Sequence, residues 1–225
     1  MTRRTASASA APARPCVLLT GFDAFGGASL NPSWLAVQAL AGEVLAGHTL
    51  VAVQLPTAFA GSLQALAGLL QQHKPALVIC VGQAGGRSAM SLERIAINVN
   101  DARIADNTGE QPVDTPVVLN GPAAYFSTLP IKAMLQALQQ AGIAAEVSQT
   151  AGTFVCNHVF YGLMHALAKQ RGAGRTRGGF VHVPYLPEQG SPCMSLDEMV
   201  RGLKIAIECA LTTPHDIAHG AGQIS

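Results

Sequence analysis

Charge is scarce in this chain. Only 12% of its 225 residues are Asp, Glu, Lys or Arg, about half the ~25% usual for a globular domain. Fourteen basic residues face thirteen acidic ones, for a net charge of +1. With no block of Lys and Arg to neutralise a row of phosphates, nucleic acid is not an expected partner. Long apolar runs are missing too. Stretches such as "ALVICV" at 76–81 fall far short of the ~18 residues a membrane span needs, so a soluble chain with no membrane partner is expected. Its five cysteines, Cys16, Cys80, Cys156, Cys193 and Cys209, form no CxxC pair and no Cys/His ligand spacing. That excludes a disulfide framework and a zinc site, and free thiols of this kind usually pack as small hydrophobes.

Hydrophobic residues are abundant, at 49%. A chain of this length can bury one core, so a single domain over 16–213 is expected. Residues 1–15, "MTRRTASASAAPARP", have no apolar periodicity and read as a disordered extension. Residues 214–225 read as a flexible tail. The opening segment also lacks the apolar run of a secretory signal, so the expected compartment is the cytoplasm.

Short apolar runs at 16–20, 50–55, 76–82, 144–149 and 179–185 alternate with helical patterns at 33–41, 58–72, 128–141, 156–169 and 196–212. The last opens with a Ser195/Glu198 capping box. Such alternation predicts an α/β fold, a three-layer α/β/α sandwich around a mostly parallel twisted sheet. Residues 85–126 break the pattern. There "ERIAINVNDARIADN" reads as a strand and polar turn, "TPVV" as a further strand, and a hairpin excursion is expected. Ligands of open parallel sheets sit beyond the strands' carboxyl ends. The loops to search are therefore "GFDAFGG", "GQAGGRS", "TAGTFVCN" and "PYLPEQ".

In the third of these, Cys156 stands in the first turn of a helix whose apolar face is Val159, Phe160, Leu163, Met164 and Leu167. Unpaired N–H groups at a helix start favour an anion and would lower a thiol's pKa toward ~7, as a nucleophile requires. Position alone leaves that reading and simple core packing both open. His158 lies two residues on, a rotation of ~200°, and is expected at the surface. His182, near the end of an apolar strand, is the better base. A third group to hold its tautomer could be Glu93, Asp101, Asp106 or Glu188, and spacing does not choose. "GQAGGRS" matches neither common phosphate-binding signature, though it could present N–H groups to an anion. Phe22 and Phe25, three apart beside glycines, are either core or a slot for a flat ring.

Together "LLTGFDAFGGASLNPS", "VGQAGGRSAMSLERIAIN", "DARIADN", "SQTAGTFVCNH" and "FVHVPYLPEQ" resemble the pyroglutamyl peptidase type I family across roughly 16–212. The resemblance implies a phosphorylase/hydrolase-like fold and a cysteine peptidase that removes N-terminal pyroglutamate from peptides without metal or cofactor. It implies Cys156 as nucleophile, His182 as base and Glu93 as the acid, with Arg103 supporting the oxyanion. Around the ring pocket it implies Phe22, Phe25, Asn31, Gln83, Phe154 and Val155. A homo-oligomer, a homotetramer, is also implied. Two features depart from the pattern: Ala24 stands where the family usually has proline, which loosens the Phe25 loop, and "KQRGAGRTRGG" is a long linker. The competing readings are a nucleoside-phosphorylase-like enzyme on the same sheet and a noncatalytic, redox-sensitive binding module.

Overall fold

The computed structural model describes residues 14–172 and 174–222. Most of the expected N-terminal extension, residues 1–13, therefore lies outside the described residues. The chain forms β1 (Cys16–Phe22), α1 (Pro32–Gln38), β2 (Val44–Leu45), β3 (His48–Leu55), α2 (Phe59–His73), β4 (Leu77–Gln83), β5 (Met90–Glu93), β6 (Ile95–Ile97), β7 (Ala124–Phe126), α3 (Ile131–Gln140), β8 (Ala145–Ser148), α4 (Val155–Ala168), β9 (Arg177–Val183) and α5 (Leu196–Thr212). Among the described residues no helix is long and apolar enough to cross a membrane.

The main sheet has the order β2-β3-β1-β4-β9-β5-β8. Strands β3, β1, β4 and β9 pair in parallel, as their two-sided apolar composition requires. Alternate residues of these strands enter two separate cores. Val17, Leu19, Ile79, Val81, Val181 and Val183 meet α1, α3 and α5 on one face. Leu18, Phe22, Val78, Cys80 and Phe180 meet α2 and α4 on the other. The three expected layers are present, and the Ser195/Glu198 box closes the start of α5, with Glu198 N donating to Ser195 Oγ at 3.3 Å and Ser195 N to Glu198 Oε2 at 3.2 Å.

Two strands depart from the expected ladder: β5, from the segment expected as an excursion, joins the main sheet, and β8 is reversed with it. β5 runs antiparallel to β9, and β8 pairs in parallel with β5, so both oppose the central four. The excursion also differs in detail. β6 pairs antiparallel with Ala124–Phe126, not with the "TPVV" stretch. Thr115 makes a single bridge to Asn100, and Pro116 next to it cannot donate to a ladder. Residues 214–222, expected to be flexible, cross the start of α3. There the Asp216 carboxylate accepts from the backbone N–H of Lys132 at 3.1 Å and Ala133 at 2.9 Å. No local side chain caps that helix, so a distant carboxylate fills the role.

His158 is not at the surface. The excursion covers α4 on the side that the rotation argument left open to solvent, and His158 is 7% exposed. Its Nδ1 lies 2.9 Å from Asn100 Oδ1 and its ring stands edge-on to Phe59. Burial pushes its pKa from 6.5 down to about 4, only partly offset by the Phe59 backbone. Glu110 and Thr115 line the small cavity beside it.

The native state therefore binds fewer protons at His158 than the unfolded chain between pH 6.5 and about 4. Stability is full above that window, falls as pH drops through it and levels below it. Thermal melts at pH 7 and pH 4.5 should show the native protein losing on the order of 5 °C more than His158→Gln. Equal losses in the two proteins would contradict this assignment.

Candidate active site

Three neighbouring strands prepare one spot on the α4 face of the sheet. On β9, Phe180 and His182 point the same way. β4 presents Gly82 opposite His182, and β5 presents Ser91 opposite His182 on the other side. Two residues beyond Ser91, Glu93 shares its face. Its Oε1 accepts a 2.7 Å hydrogen bond from His182 Nδ1. Both side chains are almost wholly buried, at 4% and 0% exposure.

A buried carboxylate needs more than a neutral ring for company. Arg87 supplies the second partner. Its guanidinium donates to the same Glu93 Oε1 at 2.7 Å and, through its other terminal nitrogen, to the Thr150 carbonyl at 3.0 Å. Arg87 was not among the residues that sequence reasoning selected, although it is the sole cation of "GQAGGRS". Its commitment to Glu93 also removes the charge that a phosphate cradle in that loop would have used.

Gly82 makes room for the sulfur. A methyl group built on its Cα would lie 2.8 Å from Cys156 Sγ and 2.8 Å from the Phe180 ring. The thiol thus stands directly over the strand position beside His182, in a gap that only glycine leaves. Neighbouring strands are about 4.8 Å apart, so the Gly82 position beneath the sulfur is the direct neighbour of His182 across β4 and β9.

The expected effect of the helix start on this thiol is overturned. Cys156 has a pKa pushed up to about 12, first by burial and then by the Glu93 charge, with Arg87 opposing and Cys80 adding to the rise. Desolvation wins over the helix dipole. The helix start still has spare donors. Its N-cap is Phe154, whose side chain accepts nothing, and the first bond back into the turn is from His158 N to the Phe154 carbonyl. Among the described residues, no acceptor takes the N–H of Val155, Cys156 or Asn157.

The other acid candidates separate cleanly. Asp106 is spent on backbone: Oδ2 accepts from Phe59 N at 2.8 Å, and Oδ1 from Thr108 N at 2.8 Å and Glu110 N at 2.9 Å. Burial would raise its carboxyl, but these bonds hold it below the usual carboxylate range. Asp101 lies with Arg103, Ile104, Thr153 and Phe154 on a cleft of 660 Å³. Glu188 lines a neighbouring cleft of 490 Å³ with Phe25, Gln83 and Gln189. Of the four, only Glu93 touches His182.

The ring-pocket candidates divide into a lining and a backing. Phe25 and Gln83 line the smaller cleft and Phe154 the larger, and the Phe25 and Phe154 rings are 6.0 Å apart between them. Ile104, which sequence reasoning missed, lines both. Phe22 is core, packed on Phe180 with centroids 6.4 Å apart, and Val155 is fully buried. Asn31 is buried as the cap of α1. Its Nδ2 donates to the Asp23 carbonyl at 2.9 Å, and its Oδ1 accepts from Ser33 N at 3.1 Å.

The family model described as pyroglutamyl peptidase matches residues 16–213. A pyrrolidone-carboxylate peptidase of Cupriavidus taiwanensis is 57% identical over 215 residues, covering 93% of this chain and 99% of that protein. One from Bacillus cereus is 52% identical over 211 residues, covering 92% and 97%. The crystal structure of pyroglutamyl peptidase I from Bacillus amyloliquefaciens superposes with a TM-score of 0.89 at 48% identity, over 92% of this chain and all of that one. The fold, the matched span and these relatives together make the chain a member of the pyroglutamyl peptidase family, cysteine peptidases that remove N-terminal pyroglutamate.

Proposed function

We propose that Cys156 is the nucleophile of this peptidase, His182 its proton carrier and Glu93 the group that orients His182. The observation that carries the assignment is the 2.7 Å bond from His182 Nδ1 to Glu93 Oε1, which leaves Nε2 as the nitrogen free to act, beside a sulfur admitted by Gly82. Burial and then the Glu93 charge push the partly buried thiol up and keep it protonated at rest. As the pyroglutamyl carbonyl arrives, His182 Nε2 takes the S–H proton and the sulfur bonds to the carbonyl carbon. The developing oxyanion is held by free N–H groups at the start of α4, supported by Arg103, and each such donor is typically worth ~10² to 10³ in rate. Collapse breaks the C–N bond, with the proton passing from His182 to the leaving amine. Water then adds to the thioester, gives a proton to His182, and the C–S bond breaks to release pyroglutamate and the thiol. Each step uses side chains, backbone and water alone.

The lactam ring is proposed to lie against Phe25 and Phe154, with Gln83 at its polar edge and Phe22, Val155 and Asn31 holding these walls from behind. We assign the catalytic domain to 16–213. The family places the chain with peptidases rather than with phosphorylases or noncatalytic binding modules. Location in the cytoplasm is proposed from the free cysteines, Cys156 among them, which a reducing compartment keeps as thiols. A homotetramer is proposed from the low surface charge and from large apolar side chains left exposed, Leu119 at 77% and Phe126 at 66%. Light scattering at micromolar concentration should give a four-chain mass, and a single-chain mass would contradict it.

Release of a reporter amine from a pyroglutamyl conjugate should fall at least ~10³-fold in Cys156→Ser. The same change at Cys16, Cys80, Cys193 or Cys209 should leave most of the activity. Near-native turnover in Cys156→Ser would remove the mechanism. Arg87 opposes the rise in the thiol pKa, so Arg87→Gln should leave less thiolate at a given pH. Alkylation of Cys156 at pH 8 should slow about tenfold in that variant, and an unchanged rate would show that Arg87 holds only the loop.

A further inference from the structure

We infer that Asn107 is a specificity-positioning residue, a clasp that holds the Phe25 wall of the ring pocket in place from across the cleft. The inference rests on the reading of Phe25 as a wall of that pocket. Within the loop itself a single backbone hydrogen bond, from Ala28 N to the Phe25 carbonyl at 3.1 Å, restrains Phe25 on its C-terminal side. Ala24 leaves φ free, and Gly26 and Gly27, at φ of 62° and 81°, sit in the left-handed region where glycine is most mobile.

The residues just before Phe25 are held from outside the loop. Asn107 Nδ2 donates to the Ala24 carbonyl at 2.8 Å and to Asp23 Oδ1 at 3.1 Å. Both partners are acceptors, so the amide nitrogen must face the loop. The main chain of Asn107 is fixed as well, its N–H donating to the Thr57 carbonyl at 3.0 Å. Thr57 N in turn donates to Asp23 Oδ1 at 2.6 Å and Thr57 Oγ1 to the Asp23 carbonyl at 3.1 Å. Asp23, Thr57 and Asn107 thereby close a ring of hydrogen bonds immediately before Phe25.

The turn that presents Asn107 is itself rigid. The neighbouring Asp106 carboxylate gathers the N–H groups of Thr108 and Glu110 and ties the turn to the first residue of α2 through Phe59 N. Ile104, three residues earlier, lines both clefts. One excursion thus carries an apolar wall of its own and the tether for the opposite wall. Asn107 is exposed to solvent and packs into no core, so its loss should act on the loop it tethers rather than on global stability.

Four variants test this in steady-state assays of a pyroglutamyl amide at pH 7, with Tm measured alongside. Losing two hydrogen bonds that order a binding wall, one to a backbone carbonyl and one to the Asp23 carboxylate, should raise KM about tenfold in Asn107→Ala and leave kcat within about twofold. Asn107→Asp should raise KM further, because the isosteric carboxylate meets two acceptors and carries a like charge toward Asp23. Adding Ala24→Pro to Asn107→Ala should recover most of the lost KM by fixing φ within the loop; if that double variant does not fold, the Ala and Asp variants decide between them. Phe25→Ala serves as the control for the pocket. An unchanged KM in Asn107→Ala beside a raised KM in Phe25→Ala would overturn the clasp and leave the pocket standing. An Asn107→Asp protein as good as native would reduce Asn107 to a space-filler and overturn it too, as would a fall in kcat and Tm with KM constant. An unchanged KM in Phe25→Ala would remove the pocket reading and the clasp with it.

Discussion

The hydrogen bond between Glu93 and His182 sets the terms for everything around it. A carboxylate with no exposed surface is tolerated only where donors converge on it, and stripping one partner from such a group typically costs several kcal/mol. The sheet meets that need at Oε1, where both donors converge, while Oε2 has no partner among the described residues. Reversal of β5 beside β9 lays Glu93 diagonally across from His182 on one face, and Arg87 reaches the same oxygen from the loop before β5. A fully parallel ladder would have left the edge of β9 without this acid.

The same burial explains why the thiol is held neutral rather than as a standing thiolate. Helix-end electrostatics favour a thiolate at Cys156, while burial and then the Glu93 charge act against it and push the thiol up. A resting thiol beside a positioned imidazole becomes nucleophilic only when its proton can leave. In the proposed mechanism the free N–H groups at the start of α4 serve the substrate oxygen in place of the sulfur. Phe154 at the N-cap, where Ser, Thr, Asp or Asn would normally consume one of those donors, fits that division of labour.

Much of this was legible in the sequence, and the failures share a cause. Alternating apolar runs and helical periods located five strands of the main sheet and, among the described residues, the α-helices to within a few residues, but not β2 or β5. What they could not supply was contact over long separations. Glu93 and His182 are 89 positions apart, and four acids were equivalent until the β5–β9 register was known. Helical rotation correctly turned His158 away from Cys156 but said nothing of what covers that side of α4. The excursion does, through Asn100, and it buries the ring. The direction of β8 was lost because a four-residue buried strand reads the same either way. Arg87 went unchosen because a lone cation in a glycine-rich loop has no visible partner in sequence. Phe22 could have been core or pocket wall from its spacing, and its contact with Phe180 places it in the core.

Mass spectrometry of enzyme quenched in acid during turnover of a pyroglutamyl ester, followed by proteolysis, tests the central claim most directly. Attack by the thiol through His182 requires a thioester between the pyroglutamyl group and Cys156, so the peptide that contains Cys156 should carry one added pyroglutamyl group, and that adduct should disappear on treatment with hydroxylamine. A pyroglutamyl group on any other residue, or turnover with no acylated Cys156 peptide under conditions where the acyl-enzyme accumulates, would contradict the account.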